Sequence, residues 1–573
     1  MGHVLTILTN RLKNLLKPVE PPGIGLWMAG LGLLTTLVGV TPACALSSAN
    51  IPLTSPVYSY LDKLAGMGLI TSDIKGLRPY SKAEAARLAL EALTNIAGQD
   101  VAAPAFAMEL VRRVRELLPR EVSLRADPEH KPPLIDYNPV SALRARYVYL
   151  DGVPRNYNRP VYIRGGQSAF GFIGGTLRPL SDAGVLYESG TEGTPLDENN
   201  NGIVYKRGNN AEIRLAAEGY VSDKASALLE PLLQSSPDDS RLLLNRGYIK
   251  LGGGGLELEA GRDENWFGPG YRGALTLSSN ARNFDQVKLS SPEPLDVAWI
   301  KRWLGDVKYA LIVSRFNETD AATPEHRRPY FIGAKLAVKP YTWFEYGINF
   351  VRQQGGPGFT GSTSLKDEIF GGGNSNHNNS IAGIDLRFRV PWLRNTEIYG
   401  EYAGEDSASF WPIVESYIAG VYAPCLTGSC RDDLRFEFFW GNPMLYTDFK
   451  FPRGYTYQGM TPGHSQGGSA QDFFVRYSHS FSVRNVAALE YFHTDRGQEG
   501  RVPVDSAGQY DPLNGVMQAM EHKDAGRISW SLPIYGDVDG QILYGVEKIR
   551  NLNLVAGAVR TNQLATFELR YRY

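Results

Sequence analysis

From about Asp136 to the C-terminus, apolar and polar residues alternate in short stretches. Leu143, Ala145, Tyr147 and Tyr149 alternate with Arg144, Arg146 and Val148. Ile213, Leu215 and Ala217 alternate with Glu212, Arg214 and Glu218, and Ile384, Leu386, Phe388 and Val390 with Asp385, Arg387 and Arg389. Leu434, Phe436, Phe438 and Trp440 with Arg435, Glu437 and Phe439, and Ile528, Trp530 and Leu532 with Arg527, Ser529 and Ser531, repeat the scheme. A period of two sends such sets to opposite faces of a strand. Rows of Arg and Glu repeated over many strands do not suit a sandwich core, whereas a barrel lumen accommodates them. The chain also ends on such a strand: Ala565, Phe567, Leu569, Tyr571 and Tyr573 face one way, Thr566, Glu568, Arg570 and Arg572 the other. A terminal strand closing on an aromatic is typical of outer-membrane barrels. Strands of ~10 residues plus turns allow roughly 16 to 20 strands after Asp136.

Residues 56–120 follow a different period. Val57, Leu61, Leu64 and Gly68 share one helical face, Ser81-Lys82-Ala83-Glu84 is a capping box, and Leu110, Val111, Val114, Leu117 and Leu118 form a further stripe. Three short helices are predicted, followed by a linker marked by Pro128, Pro132, Pro133 and Pro139. The expected connections are asymmetric. Short turns fall at Leu393-Arg394-Asn395, Val483-Arg484-Asn485 and Gly536-Asp537, and long loops rich in Gly, Asn and Ser at 352–380, 403–433, 441–470 and 496–523.

The N-terminus bears on compartment. A leader with Arg11, Lys13 and Lys17 precedes an apolar run from Ile24 to Val40, and Ala43-Cys44-Ala45 supplies small residues. This reads as a secretory signal peptide over residues 1–45, cleaved after Ala45. The run is at the short edge for a membrane anchor, and Thr41-Pro42-Ala43 is a poor lipidation box before Cys44. Removing those residues leaves 56 Lys+Arg against 59 Asp+Glu, with no basic excess for nucleic acid. No later run can span a bilayer as a helix, so a membrane reading requires a closed barrel. Tyr outnumbers Phe, 31 to 23, which suits a surface half in lipid and half in water. The predicted organisation is therefore a mainly β protein: a periplasmic helical bundle and linker over 46–135, then an outer-membrane antiparallel β-barrel over 136–573. The competing fold is a secreted β-sandwich carrying a helical module.

Gly261-Arg262-Asp263-Glu264-Asn265-Trp266-Phe267-Gly268-Pro269-Gly270-Tyr271-Arg272 places a sharp bend among aromatics and arginines, followed by Leu275-Thr276-Leu277-Ser278-Ser279-Asn280-Ala281-Arg282-Asn283-Phe284. It reads as an in-barrel turn pinned by ion pairs or as a site for a sugar or an anion. The segment resembles the Wzi-type capsule assembly family, whose members carry a Trp-Gly-Pro-Gly-like turn; here Phe267 stands between Trp266 and Gly268. Arg78-Pro79-Tyr80-Ser81, Arg328-Pro329-Tyr330-Phe331-Ile332-Gly333, Ala382-Gly383-Ile384-Asp385-Leu386-Arg387 and Tyr399-Gly400-Glu401-Tyr402-Ala403-Gly404-Glu405-Asp406 extend the resemblance over nearly the whole mature chain. It implies a barrel of about 18 strands with a periplasmic helical bundle. It also implies a non-enzymatic role in holding capsular or other exported polysaccharide at the cell surface. Polysaccharide, outer-membrane lipid and polysaccharide export machinery are the partners to expect. A channel for small solutes or oligosaccharides is the alternative, and a barrel-borne hydrolase a third reading.

A sugar needs ring faces and hydrogen-bonding groups, and an acidic polymer needs Arg or Lys. The loop 403–433 carries Phe410, Trp411, Tyr417, Tyr422 and Arg431, and the loop 441–470 carries Tyr446, Lys450, Arg453, Tyr455, Tyr457 and His464. These are the first candidates for polysaccharide contacts, with Trp266, Tyr271 and Arg272 next. Cys425 and Cys430, five positions apart across Thr427-Gly428, are expected to form a disulfide within the loop 403–433. Other motifs carry less. Asp197-Glu198-Asn199-Asn200-Asn201-Gly202 copies half of a calcium loop, but Gly208 stands where a bidentate Glu belongs. The neighbouring acids Asp263/Glu264 and Glu405/Asp406 would point to opposite faces of a strand. His377, His464, His479 and His493 lack metal-ligand spacing, and no nucleophile elbow or phosphate loop occurs. No cofactor is expected.

Overall fold

The computed structural model describes residues 46–98, 104–127, 132–155, 157–163, 184–190, 192–316, 329–355, 378–405, 414–448, 451 and 453–572. Eighteen antiparallel strands, from Ile135–Asp151 to Val559–Tyr571, form one closed barrel. The last strand closes on the first through pairs running from Leu143↔Tyr571 to Asp151↔Gln563. The alternation sets the faces as the sequence implies. Leu143, Ile213, Leu386, Phe436, Trp530 and Phe567 are exposed on the outside, while Arg144, Glu212, Arg387, Glu437 and Glu568 are buried within. A wall that is apolar outside and charged inside meets the requirement of a bilayer solvent. Tyr573 lies outside the described residues, as does the whole of the expected signal peptide, residues 1–45.

One end of the barrel carries the short turns. Pro391–Leu393, Val483-Arg484-Asn485 and Gly536-Asp537 all lie there. The other end carries the long connections, of which 192–207, 263–284, 442–448, 453–469 and 497–520 are described. The expected single loop 403–433 is a correction. The strand Val414–Ala423 runs through it, so its residues divide between a connection at the long-loop end and a turn, 424–431, at the opposite end.

Helices cover the short-turn end. Val57–Gly66, Lys82–Ala97, Ala105–Leu117 and Pro119–Ala126 share an apolar core that includes Leu64, Leu88, Val111 and Val114 and takes in Val483 from a barrel turn. The capping box forms, with the Glu84 N–H donating to the Ser81 hydroxyl. There are four helices rather than three, because Pro119 cannot continue the turn before it and Leu118 leaves helical geometry (φ −125°, ψ 48°). Arg113 pairs with Asp537 at 2.9 Å, and Arg120 donates to the Ser222 carbonyl. The helices are therefore seated on the turns, and residues 44–573 form one compact unit.

The lumen is filled by chain rather than left as a bore. Residues 46–55 and 70–80 enter from the helical end, and 192–207, 263–284, 442–448 and 453–469 fold inward from the long-loop end. Leu77–Arg78 pairs with Trp266–Phe267 as a two-stranded sheet inside the barrel. Phe267, Leu275, Leu277, Phe284, Tyr446, Tyr455 and Tyr457 form a buried core there together with wall residues such as Phe331 and Phe439.

Candidate functional site

The bend at Gly268-Pro269-Gly270 is held from every side. Gly268 adopts φ +131°, and a Cβ on it would come within 2.7 Å of Glu401 Oε2, so both the angle and the space call for glycine. Glu401, on the strand Thr396–Glu405, accepts from the Leu275 N–H at 2.9 Å. Glu437, on Asp432–Gly441, accepts from the Tyr271 and Arg272 N–H groups at 2.7 and 2.9 Å. Arg78 donates to the Gly270 carbonyl at 2.7 Å and lies 4.8 Å from the Trp266 ring. Arg272 is buried and paired with Asp472 and with Glu198. Despite burial, Arg272 and Arg527 beside Glu198 bring its carboxyl down to about 2. Arg78-Pro79-Tyr80, the Trp266 turn and Glu401 stand far apart in sequence but meet here as one anchoring system.

Between this bend and the helix Val57–Gly66 lies a cavity of about 440 Å³. Tyr271, 39% exposed, presents its ring to that cavity. The ring stacks on Phe474 at 5.7 Å, with Arg435 4.5 Å and Arg476 5.8 Å from its centre. The lining holds eight Arg or Lys side chains against five carboxylates. Trp266 Nε1 and Arg78 Nε are buried donors without a hydrogen-bond partner, and both residues line the cavity. A ring face and guanidinium groups are the chemistry that holds a polyol, above all one bearing a carboxylate.

The loop aromatics expected to meet a sugar are placed otherwise. Tyr455 and Tyr457 are buried, the first donating to the Thr276 carbonyl at 2.9 Å and the second packing on Phe316 at 5.0 Å. Tyr446 donates to the Leu275 carbonyl, and His464 is stacked on Phe439 at 3.7 Å. Burial, together with nearby Arg272, holds the His464 imidazole well below its ordinary range, hence neutral. These rings fill the lumen and have no free face. Tyr417 points outward and stacks on Trp440; Tyr422 points inward beneath Arg435, 3.9 Å away. Arg431 sits at the helical end, 5.0 Å from the Phe106 ring, and Arg453 is half-buried. Phe410, Trp411 and Lys450 lie outside the described residues. Cys425 and Cys430 are bonded, at 2.09 Å, but in the turn that faces the helices, where Lys63 donates to the Pro424 carbonyl at 3.1 Å. Sequence reasoning missed Arg435, Phe474 and Arg476 as partners of Tyr271. Their alternation marks the strand pair as lumen-facing, but nothing in it shows which loop folds in to meet them.

The half-formed calcium loop is spent on the lumen as well: Asp197 pairs with Arg146 at 2.9 Å and Asn201 donates to Glu264. Asp263 and Glu264 secure the N-terminal segment, accepting from Asn50 Nδ2 and the Leu53 N–H at 2.6 and 2.7 Å.

Three comparisons bear on this arrangement. Residues 182–564 match the family described as Capsule assembly protein Wzi. An uncharacterized 55.8 kDa protein in the cps region of Klebsiella pneumoniae is 28% identical over 176 residues, 29% of this chain, which thus spans a third of that relative's length. A solved structure titled as Wzi, an outer membrane protein involved in group 1 capsule assembly in Escherichia coli and a carbohydrate-binding β-barrel, superposes with a TM-score of 0.63 at 17% identity, covering 91% of this chain and 98% of that one. The chain belongs to the Wzi capsule assembly protein family.

Proposed function

We propose that this chain is an outer-membrane protein that binds capsular or other exported polysaccharide and helps to hold or assemble it at the cell surface. The N-terminal segment serves as an export signal, the helices face the periplasm and the long loops face outward. Family membership supports the polysaccharide role. The observation that carries the reading is the occupied lumen. Inward-folded segments tied by Arg272–Asp472, Arg146–Asp197 and Glu401–Leu275 take the place of a solute path. The space that remains in the lumen is the cavity at Tyr271, on the helical side of the bend, with the ring and guanidinium groups a sugar requires. Each sugar contact is worth on the order of 1 kcal/mol, so attachment rests on many repeats meeting many barrels.

Deleting the gene tests this. Polymer should still be made but be shed into the medium, and the purified protein should pass no current in planar bilayers. Complementation with Tyr271→Ala/Arg435→Gln should leave the barrel folded and raise the shed fraction. Loss of polymer synthesis, or sustained conductance, would overturn the reading.

A further inference from the structure

Two neighbouring strands place two histidines and two aspartates on the outer face of the wall. They lie at the end next to the loop 497–520. Val486–Arg496 and Glu521–Tyr535 run antiparallel with His493 opposite Asp524 and Asp495 opposite His522. On each strand the two residues are two positions apart and so share a face. The pattern on one strand is reversed on the other, and the four side chains form a square. His493 Nδ1 lies 2.7 Å from Asp524 Oδ1, His493 Nε2 lies 3.2 Å from Asp495 Oδ1, and His522 Nδ1 lies 2.6 Å from Asp495 Oδ1. Ligand atoms of His493, Asp495 and His522 all fall within 4.8 Å of one another. Tyr491 donates to Asp524 at 3.1 Å, and Arg550 approaches Asp524 at 3.6 Å. Among the described residues, Asp495 forms its ion pairs with the two imidazoles.

His493 has a carboxylate at each ring nitrogen. When Nδ1–H donates to Asp524, the Nε2 lone pair faces the Asp495 carboxylate, an arrangement that calls for either a second proton on the ring or a metal cation between the two. Two histidines and one carboxylate with an open side form a familiar donor set for zinc-class ions. A carboxylate that accepts from the remote nitrogen of a ligating histidine fixes its tautomer. Bonds of about 2.0 Å in tetrahedral geometry need donor atoms roughly 3.3 Å apart; Asp495 Oδ1 lies 3.2 and 2.6 Å from the two imidazole nitrogens and the three donors lie within 4.8 Å of one another, so small side-chain rotations bring them onto one ion.

We infer that His493, Asp495 and His522 bind one divalent transition-metal ion of the zinc class on the outside of the barrel, with Asp524 orienting His493. The side away from the wall leaves a coordination position open to a further oxygen ligand. This site faces outward and is independent of the cavity at Tyr271.

The test uses untagged full-length protein in detergent, stripped with chelator and titrated with Co²⁺ for ligand-field absorption and with Zn²⁺ by calorimetry. One equivalent should bind, and both signals should disappear in His522→Ala and in His493→Ala. Asp524→Asn should keep the stoichiometry and weaken affinity about 10- to 100-fold, as loss of an outer-shell carboxylate does. Unchanged heat-dependent gel mobility shows that each variant remains a folded barrel. Absence of a Co²⁺ band in wild type, or equal uptake by folded His522→Ala, would overturn the inference and leave the square as imidazolium–carboxylate pairs.

Discussion

Lys335 and Leu336 are neighbours on the strand Tyr330–Tyr341, yet they belong to different surroundings. Leu336 is 38% exposed on the outer face beside Tyr309 and Ile348, in a belt of apolar side chains. Lys335 is buried on the inner face and paired with Asp385. The outer face obeys a rule of composition: any apolar side chain of fair size serves there, because lipid is a disordered solvent. The inner face obeys a rule of pairing. Its charges are matched one to another and to the inward segments, group by group. Arg387 is the fullest case, reaching Glu345 at 2.6 Å, Glu397 at 3.0 Å and the Asp73 carbonyl of the N-terminal segment at 3.0 Å.

The sharpest way to break this contrast is to remove a charge from inside. Arg387→Met takes from buried Glu345 its ion-pair partner and leaves Asp73 and Glu397 to Lys339, Arg389 and Lys75. Uncompensated buried charge costs about 3–5 kcal/mol. The barrel should lose its heat-resistant gel mobility at a markedly lower temperature or urea concentration than wild type. A variant within about 1 kcal/mol of wild type would mean that water or the neighbouring Lys75, Lys339 and Arg389 take over from the guanidinium, and so that one-to-one pairing is not the rule at this position.

The reverse exchange probes the outside. Leu336→Arg puts on the outer face the kind of charge its neighbour carries inside. Near the midplane of a bilayer such a change costs ~2–4 kcal/mol. Refolding into lipid vesicles with urea titration reads it. An effect of less than about 0.5 kcal/mol, ordinary for a surface position in water, would show that this face does not meet lipid.

The wall was legible because its signal is local. Arg435, Phe436 and Glu437 reveal their faces from position alone, and so do the short turns at Arg394 and Arg484. The filling was not, because inward folding leaves no period. The loop 441–470 reads as polar and glycine-rich, and the same glycines that signal a surface loop also permit close packing, as at Gly463 against the Tyr446 ring and hydroxyl. Aromatics in such a segment fit a sugar platform or a lumen core equally well, and the choice depends on where the segment goes. The His493–Asp495–His522 cluster was missed for a related reason. His522 is 29 positions from His493, and only the register of two strands brings them together. The bend at Trp266 was recognised by its residue types. Its partners Glu401, Glu437 and Asp472 became partners only through closure of the barrel.

The smallest expected effect separates packing from binding at one of those loop rings. Tyr455 was a candidate for polysaccharide contact, yet its ring is buried and its hydroxyl donates to the Thr276 carbonyl at 2.9 Å. Tyr455→Phe keeps the ring and removes that one donor. If the ring belongs to the lumen core, the cost is an unpaired carbonyl, about 1–2 kcal/mol. It should be read as a modest drop in the temperature at which gel mobility changes. Polysaccharide on cells should stay at the wild-type level, since the altered atom faces the backbone of 275–277 rather than solvent. The opposite pair of results, unchanged stability with polymer lost to the medium, would show that the 441–470 segment opens to admit a sugar. It would also show that this part of the filling is a lid and not a core. Both readouts come from one conservative change that leaves the shape of the ring intact. A loss of retention therefore could not be put down to collapse of the segment, which is the weakness of an alanine replacement at the same place.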